Sequence, residues 1–392
     1  MTQFDFNRYT ERRGTDCCKW DNLTEVFGAD DILPFWIADM DFLSPPAVRQ
    51  ALTTKADHGI YGYNTVKPSY VATLQHWLQN RHNWTVDAGH ILTAPGVVPS
   101  ISLAVQVFSS PGDEIIIQPP VYPPFFSCIS KNGRVVVENP LMCDNGYYRF
   151  DLDDLRRKIT PRTRMLILCS PHNPVGRVWT ADELTALADI CLEHNLVILA
   201  DEIHHDLVFS GHRHIPLANL SAAIGRSTVT LVAPSKTFNI AGLQSSFIIT
   251  ADPAKYKTLM NALNALGIGG PNLFAAAAVE AAYANGAGWL NELLPYLAKN
   301  AAVVANYLGK HLPGVRIAKP EGTYLAWLDF REIFASHDEL RHFLAKKARV
   351  GLNDGLTFGS RGSGFARCNF ACPRELLMFG LERMRLAWAR RS

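Results

Sequence analysis

The chain has 392 residues, 48% of them hydrophobic and 19% charged, and a net charge of +2. This balance excludes a disordered chain and allows a large and a smaller domain, each with its own core. No long basic run occurs and basic residues do not alternate with aromatic ones, so nucleic acid is not an expected partner.

The N-terminus, MTQFDFNRYTERRG, lacks the apolar block of a signal peptide. The most apolar stretch, NLFAAAAVEAAYA, is too short to span a bilayer and holds Glu280. A cytosolic protein with no membrane contact is therefore expected. The eight cysteines, at 17, 18, 128, 143, 169, 191, 368 and 372, form no CxxC pair. They are expected to be reduced and mostly small core hydrophobes.

Residues 1–50, rich in Pro and Asp, read as a segment that packs against a C-terminal domain. Residues 51–286 read as a large domain. Within it, HILT (90–93), EIIIQ (114–118), RVVVE (134–138), RMLILC (164–169), LVILAD (196–201), STVTLVA (227–233) and SSFIIT (245–250) are apolar runs of strand length. Helices or loops separate most of them, the pattern of an α/β fold with a mainly parallel seven-stranded sheet. One helix is explicit. Thr180 and Glu183 make a capping box, and Leu184, Leu187, Ala188 and Cys191 then recur on one face.

Residues 287–392 change pattern and read as a smaller α+β domain. The expected order is a long helix with a kink at Pro295, a strand at 323–330, a helix near 337–348, a strand at 364–370 and a last helix near 374–390.

In an open parallel sheet, ligands bind beyond the carboxyl ends of the strands. After HILT comes a glycine turn and a helix start, where the free N–H groups of Gly96, Val97 and Val98 suit an anion. EIIIQ leads to Tyr122, held between prolines. RMLILC leads to Asn173 in SPHNPVG. LVILAD ends in Asp201, and STVTLVA leads to Ser235 and Lys236. Each residue alone has an ordinary explanation as cap, turn or packing residue. Their joint occurrence at the strand ends of one sheet does not.

A phosphorylated aromatic aldehyde uses all of these groups. The helix start and Ser235 hold a phosphate, Tyr122 stacks on a ring and Asn173 donates to a ring oxygen. Asp201 keeps a pyridine nitrogen protonated, and Lys236 forms an imine. The cofactor expected is pyridoxal 5′-phosphate. His204 and His205 invite a metal reading, but no second ligand cluster at helical or hairpin spacing supports it, so packing near Asp201 is expected and no metal.

The order SPHNPVG, ADEIH, SKTFN resembles the fold-type I pyridoxal-phosphate enzymes of the class I/II aminotransferase superfamily. FWIADMDF (35–42), YGYNT (61–65) and GFARCNFACPR (364–374) are similar to the MalY/PatB-type cystathionine β-lyases, or C–S lyases. The resemblance implies that Lys236 is the Schiff-base lysine and the base for the Cα proton. It implies cofactor contacts from Asp201, Asn173, Tyr122, Val97, Val98 and Ser235. It implies Arg367 as the grip on the substrate α-carboxylate. The partner subunit's Tyr63 would reach the cofactor phosphate in a homodimer with a shared site, with Tyr61 beside it.

Two departures from common aminotransferases are Ala233 in place of Ser and Gln244 in place of an arginine. The implied activity is β-elimination of L-cystathionine or another cysteine S-conjugate, an amino-acid substrate, to thiol, pyruvate and ammonia. An aminotransferase, and a cofactor-binding protein that holds a regulatory partner, remain alternatives at this point. The side chains of Trp36, Tyr61 and Tyr324 are the candidates to line the substrate pocket.

Overall fold

A computed structural model describes residues 3–391. All seven expected strands form one sheet. They are β1 (Ile91–Ala94), β2 (Glu114–Ile117), β3 (Val135–Glu138), β4 (Thr163–Cys169), β5 (Val197–Asp201), β6 (Thr228–Val232) and β7 (Ser246–Ile249). Their spatial order is β1-β7-β6-β5-β4-β2-β3. Only β7 runs antiparallel, to both β1 and β6.

The central strands are mainly apolar because both faces of the sheet are covered. Along β4, Met165, Ile167 and Cys169 enter one core while Leu166 and Leu168 enter the other. The first core is closed by the helices Val97–Phe108 and Pro253–Ala265, and the second by Ala181–Glu193. The last of these starts where the sequence places it. The Thr180 hydroxyl accepts from the Glu183 amide, and the Glu183 carboxylate accepts from the Thr180 amide at 2.9 Å. Leu184, Leu187, Ala188 and Cys191 are fully buried.

The C-terminal region builds a second, four-stranded antiparallel sheet in the order Arg316–Ile317, Leu325–Asp329, Phe365–Asn369, Asn353–Asp354. The helices Ala287–His311 and Arg374–Ala389 accompany it. The long helix runs through Pro295 as one element. The helix expected near 337–348 divides into an α segment, His337–His342, and a wider π segment, Phe343–Ala348.

The N-terminal segment adds Leu33–Pro34 to Val350–Gly351 as a parallel pair. Phe6, Phe35 and Met40 join a core with Phe330, Phe370 and Leu377. Among the described residues no helix is long and apolar enough to cross a membrane, and all eight cysteines are free thiols.

Candidate active site

A cavity of about 200 Å³ lies beyond the carboxyl ends of the parallel strands. Its lining includes Val97, Val98, Tyr122, Asn173, Asp201, Ser235 and Lys236. Wider clefts exist, the largest about 1000 Å³ around Lys346, Lys347, Arg383 and Arg391. That one is a charged surface hollow. The small cavity is distinguished by the chemistry that converges on it, not by its size.

Each wall follows from local structure. The helix Val97–Phe108 begins one turn after β1 and has Gly96 at its N-cap, with no side-chain cap. The Val97 and Val98 amides therefore keep no intrahelical or capping partner, which makes an anion seat. Tyr122 opens the segment after β2 and packs edge-on to Phe125. Asn173 sits in the turn after β4, where Gly176 adopts φ +74° and a Cβ there would lie 2.8 Å from Pro320 Cβ. Only glycine lets this turn lie against the Pro320–Gly322 segment, whose amides at Glu321 and Gly322 donate to the Gly176 carbonyl.

Asp201 ends β5 and is 2% exposed. Its carboxylate accepts one protein hydrogen bond, from the Ile203 amide at 3.2 Å, and no ion pair reaches it among the described residues. Burial raises its pKa to about 7, with the charge of Lys236 opposing. Lys236 follows β6 on the short helix Pro234–Thr237 and donates to the Ala38 carbonyl at 2.6 Å. Burial, then repulsion from Arg367, lowers its pKa to about 8. An amine so placed gives up its proton far more readily than an ordinary lysine, which suits it to act as a base or nucleophile.

Arg367, on the strand Phe365–Asn369, is 4% exposed and reaches the same site. It donates to Asn173 Oδ1 at 3.0 Å, the Trp36 carbonyl at 2.8 Å and Asn353 Oδ1 at 2.6 Å. None of these partners is charged, its Nε is unpartnered, and burial lowers its pKa to about 10. A buried guanidinium held only by neutral acceptors calls for an anionic ligand.

The residues present therefore fit pyridoxal 5′-phosphate together with an amino acid. Two free helix amides and Ser235 answer a phosphate. An unpaired carboxylate answers a protonated ring nitrogen, and Arg367 answers a substrate carboxylate. Asn173 spends its oxygen on Arg367, which leaves its NH₂ for a ring oxygen.

Tyr61 and Tyr63 do not join this cavity within one chain. Both lie on the irregular stretch between the helices Pro46–His58 and Pro68–His82, and Tyr63 is fully exposed. The Tyr61 hydroxyl donates to the Ala56 carbonyl. Trp36 and Tyr324 do approach. Tyr324 is buried, and its hydroxyl shares the Ala38 carbonyl with Lys236 at 2.9 Å.

Two contributors escape a reading of the sequence. The Ala38 carbonyl is one, although the motif that carries it, FWIADMDF, is conspicuous. Cys169 is the other, a core thiol that also lines the cavity. His204 lines it too, near Asp201 as expected, and burial followed by the Lys236 and Arg367 charges pushes its pKa well down. His205, its neighbour, points elsewhere and contacts Asp206 and Glu202.

Residues 30–383 match the family model for aminotransferase class I and II. The chain is 45% identical to cystathionine beta-lyase PatB of Bacillus subtilis (strain 168), over 98% of this chain and 99% of that one. It superimposes on a pyridoxal-phosphate-bound putative aminotransferase from Clostridium difficile 630 with a TM-score of 0.96 and 42% identity, over 98% and 99% of the two chains. Cystalysin from Treponema denticola, which contains a pyridoxal 5′-phosphate cofactor, matches with a TM-score of 0.95 and 34% identity, over 98% and 99%.

Proposed function

The chain belongs to the class I and II aminotransferase family, in the branch of the MalY/PatB-type cystathionine β-lyases, and we propose that it is a pyridoxal-phosphate-dependent carbon–sulfur β-lyase. It cleaves L-cystathionine or a related cysteine S-conjugate, with water, to the thiol, pyruvate and ammonia. The observation that carries this reading is the pairing of a half-buried, low-pKa Lys236 with an unpaired, buried Asp201 in one cavity, with Arg367 bonded to the Asn173 that lines it.

Pyridoxal phosphate, when bound, supplies an electron sink for the electrons of the substrate Cα–H bond. The chain's own residues do the rest. The Val97 and Val98 amides and Ser235 hold the phosphate at the helix start. Tyr122 covers one wall. Asp201, ionised beside a cationic ring nitrogen, holds that nitrogen's proton in place. Arg367 takes the substrate α-carboxylate and so fixes the direction of the Cα–H bond. Lys236, freed from attachment, accepts the Cα proton as a neutral amine. The Ala38 carbonyl, which accepts from this amine at 2.6 Å, aims it into the cavity.

Transamination shares the proton abstraction and differs in whether the Cβ–S bond then breaks. The assay that separates them mixes the holoenzyme with L-cystathionine alone, and separately with an amino acid plus 2-oxoglutarate. Equal amounts of pyruvate and homocysteine without any acceptor are expected. Glutamate formation with no thiol release would overturn the lyase reading.

The active form is a cytoplasmic homodimer in which the partner subunit's Tyr63 completes the phosphate site. The full exposure of Tyr63 on an irregular segment, away from its own cavity, supports this. We divide the chain into the large domain 51–286 and the small domain 287–392, with residues 1–50 packed on the latter.

A further inference from the structure

On the far side of the turn that carries Lys236 lies a second polar cluster that the reaction does not use. His82 ends the helix Pro68–His82, while His205 and Asp206 follow β5. His82 Nε2 is 2.8 Å from Asp206 Oδ1, and His205 Nε2 is 3.3 Å from Asp206 Oδ2. Each of the three side chains offers one ligand atom within 4.8 Å of the other two, and all three are buried.

The hydrogen bonds around the cluster define what is left over. The His205 Nδ1–H donates to the Glu202 carbonyl at 2.7 Å, which leaves Nε2 as a bare lone pair. That lone pair faces the Asp206 carboxylate, has no hydrogen-bond partner and belongs to a residue only 1% exposed. Arg81 Nε lies 3.5 Å from Asp206 Oδ1, but on the Oδ2 side a bare nitrogen and a carboxylate oxygen face each other in a dry site, a pair that a cation between them would satisfy.

The outer contacts are those of a ligand set already held in place. Trp77 Nε1 donates to Asp206 Oδ1 at 3.0 Å and the Thr237 hydroxyl donates to Oδ2 at 2.8 Å. With the Glu202 carbonyl on His205, two of the three candidate ligands thus have a supporting partner. The separation of 3.3 Å between His205 Nε2 and Asp206 Oδ2 equals the edge of a tetrahedron with ligands at about 2.0–2.1 Å. A cleft of about 610 Å³, lined by all three residues and by His76, His212 and His214, gives an entry path and room for water. It shares no lining residue with the Lys236 cavity.

We propose that His82, His205 and Asp206 bind one divalent ion of the zinc class, completed by water from the cleft. On binding, the proton on His82 Nε2 moves to Nδ1 through the solvent of the cleft, and the metal takes its place. The role is structural. The ion ties the end of the helix Pro68–His82 to the segment after β5 and, through Thr237, to the residue beside Lys236. A two-histidine, one-carboxylate set suits zinc better than magnesium or calcium, which prefer oxygen.

The test uses the full-length holoenzyme, stripped with a chelator and then titrated with zinc chloride. Calorimetry and elemental analysis after desalting are expected to give one zinc per chain and a raised thermal midpoint. His205→Asn and His82→Asn are each expected to weaken binding at least tenfold while the visible cofactor band is unchanged. Fewer than about one zinc per ten chains, or equal affinity in wild type and both variants, overturns the proposal. If neither variant folds, wild-type crystals soaked in zinc chloride decide it. An anomalous peak between His82, His205 and Asp206 supports the site, and peaks only elsewhere, such as at exposed Cys18, overturn it.

Discussion

Burial acts on Asp201 and Lys236 in opposite directions, raising the pKa of the carboxyl and lowering that of the amine. Asp201 has a pKa of about 7 in the folded chain, against an ordinary value near 3.9 when unfolded. The folded state thus binds the proton more tightly, so the carboxyl's contribution to stability falls as pH rises from about 4 to about 7. Asp201→Asn removes that penalty. The apoprotein carrying it is expected to be more stable than wild type at pH 8, by up to about 4 kcal/mol, and similar to it at pH 4. Denaturant unfolding at the two pH values checks this. Cofactor affinity is expected to fall in the same variant. For Arg367→Lys, which keeps the charge but loses the planar fork, kcat/KM is expected to drop about 100-fold or more while the cofactor stays bound. Steady-state kinetics beside the visible spectrum separates those effects. Lys236, Asp201, Asn173 and Tyr122 were legible because side-chain chemistry stands at strand ends. The Ala38 carbonyl was not, since every residue has one and only the folded chain shows which carbonyl a lysine meets.

At the scale of elements, the parallel strands were legible as continuous apolar runs because both faces of the sheet are dry. The helix Ala181–Glu193 was legible because its cap and its periodicity agree. The helix Pro68–His82 was not singled out, and with it His82 was missed. Its partner Asp206 lies 124 residues away in sequence, so no local spacing links them. The turn after β4 shows how one residue places another. Gly176 must be glycine for the backbone to meet Pro320, and that contact helps hold Asn173 beside Arg367. Gly176→Ala is expected to destabilise the protein by about 2 kcal/mol through strain at positive φ and the clash with Pro320. Thermal or denaturant unfolding reads this directly, and an unchanged midpoint would contradict it.

At the scale of the whole molecule, the site is assembled from distant parts of the chain. The N-terminal segment brings Ala38 and the Trp36 carbonyl, the seven-stranded sheet brings the cofactor residues, and the C-terminal sheet brings Arg367. The piece proposed to complete it, the partner subunit's Tyr63, allows a test of the dimer. Mixed dimers of Lys236→Ala and Tyr63→Ala chains hold one site with both groups intact. Subunit exchange is expected to give activity above the sum of the two parents, and a strictly additive result would contradict the shared site. All of this assumes that one lysine holds the cofactor. Borohydride reduction of the holoenzyme followed by peptide mass mapping measures that most directly. The account predicts the reduced pyridoxal phosphate mass on the peptide containing Lys236. Its appearance on another lysine, or on none, would contradict the account.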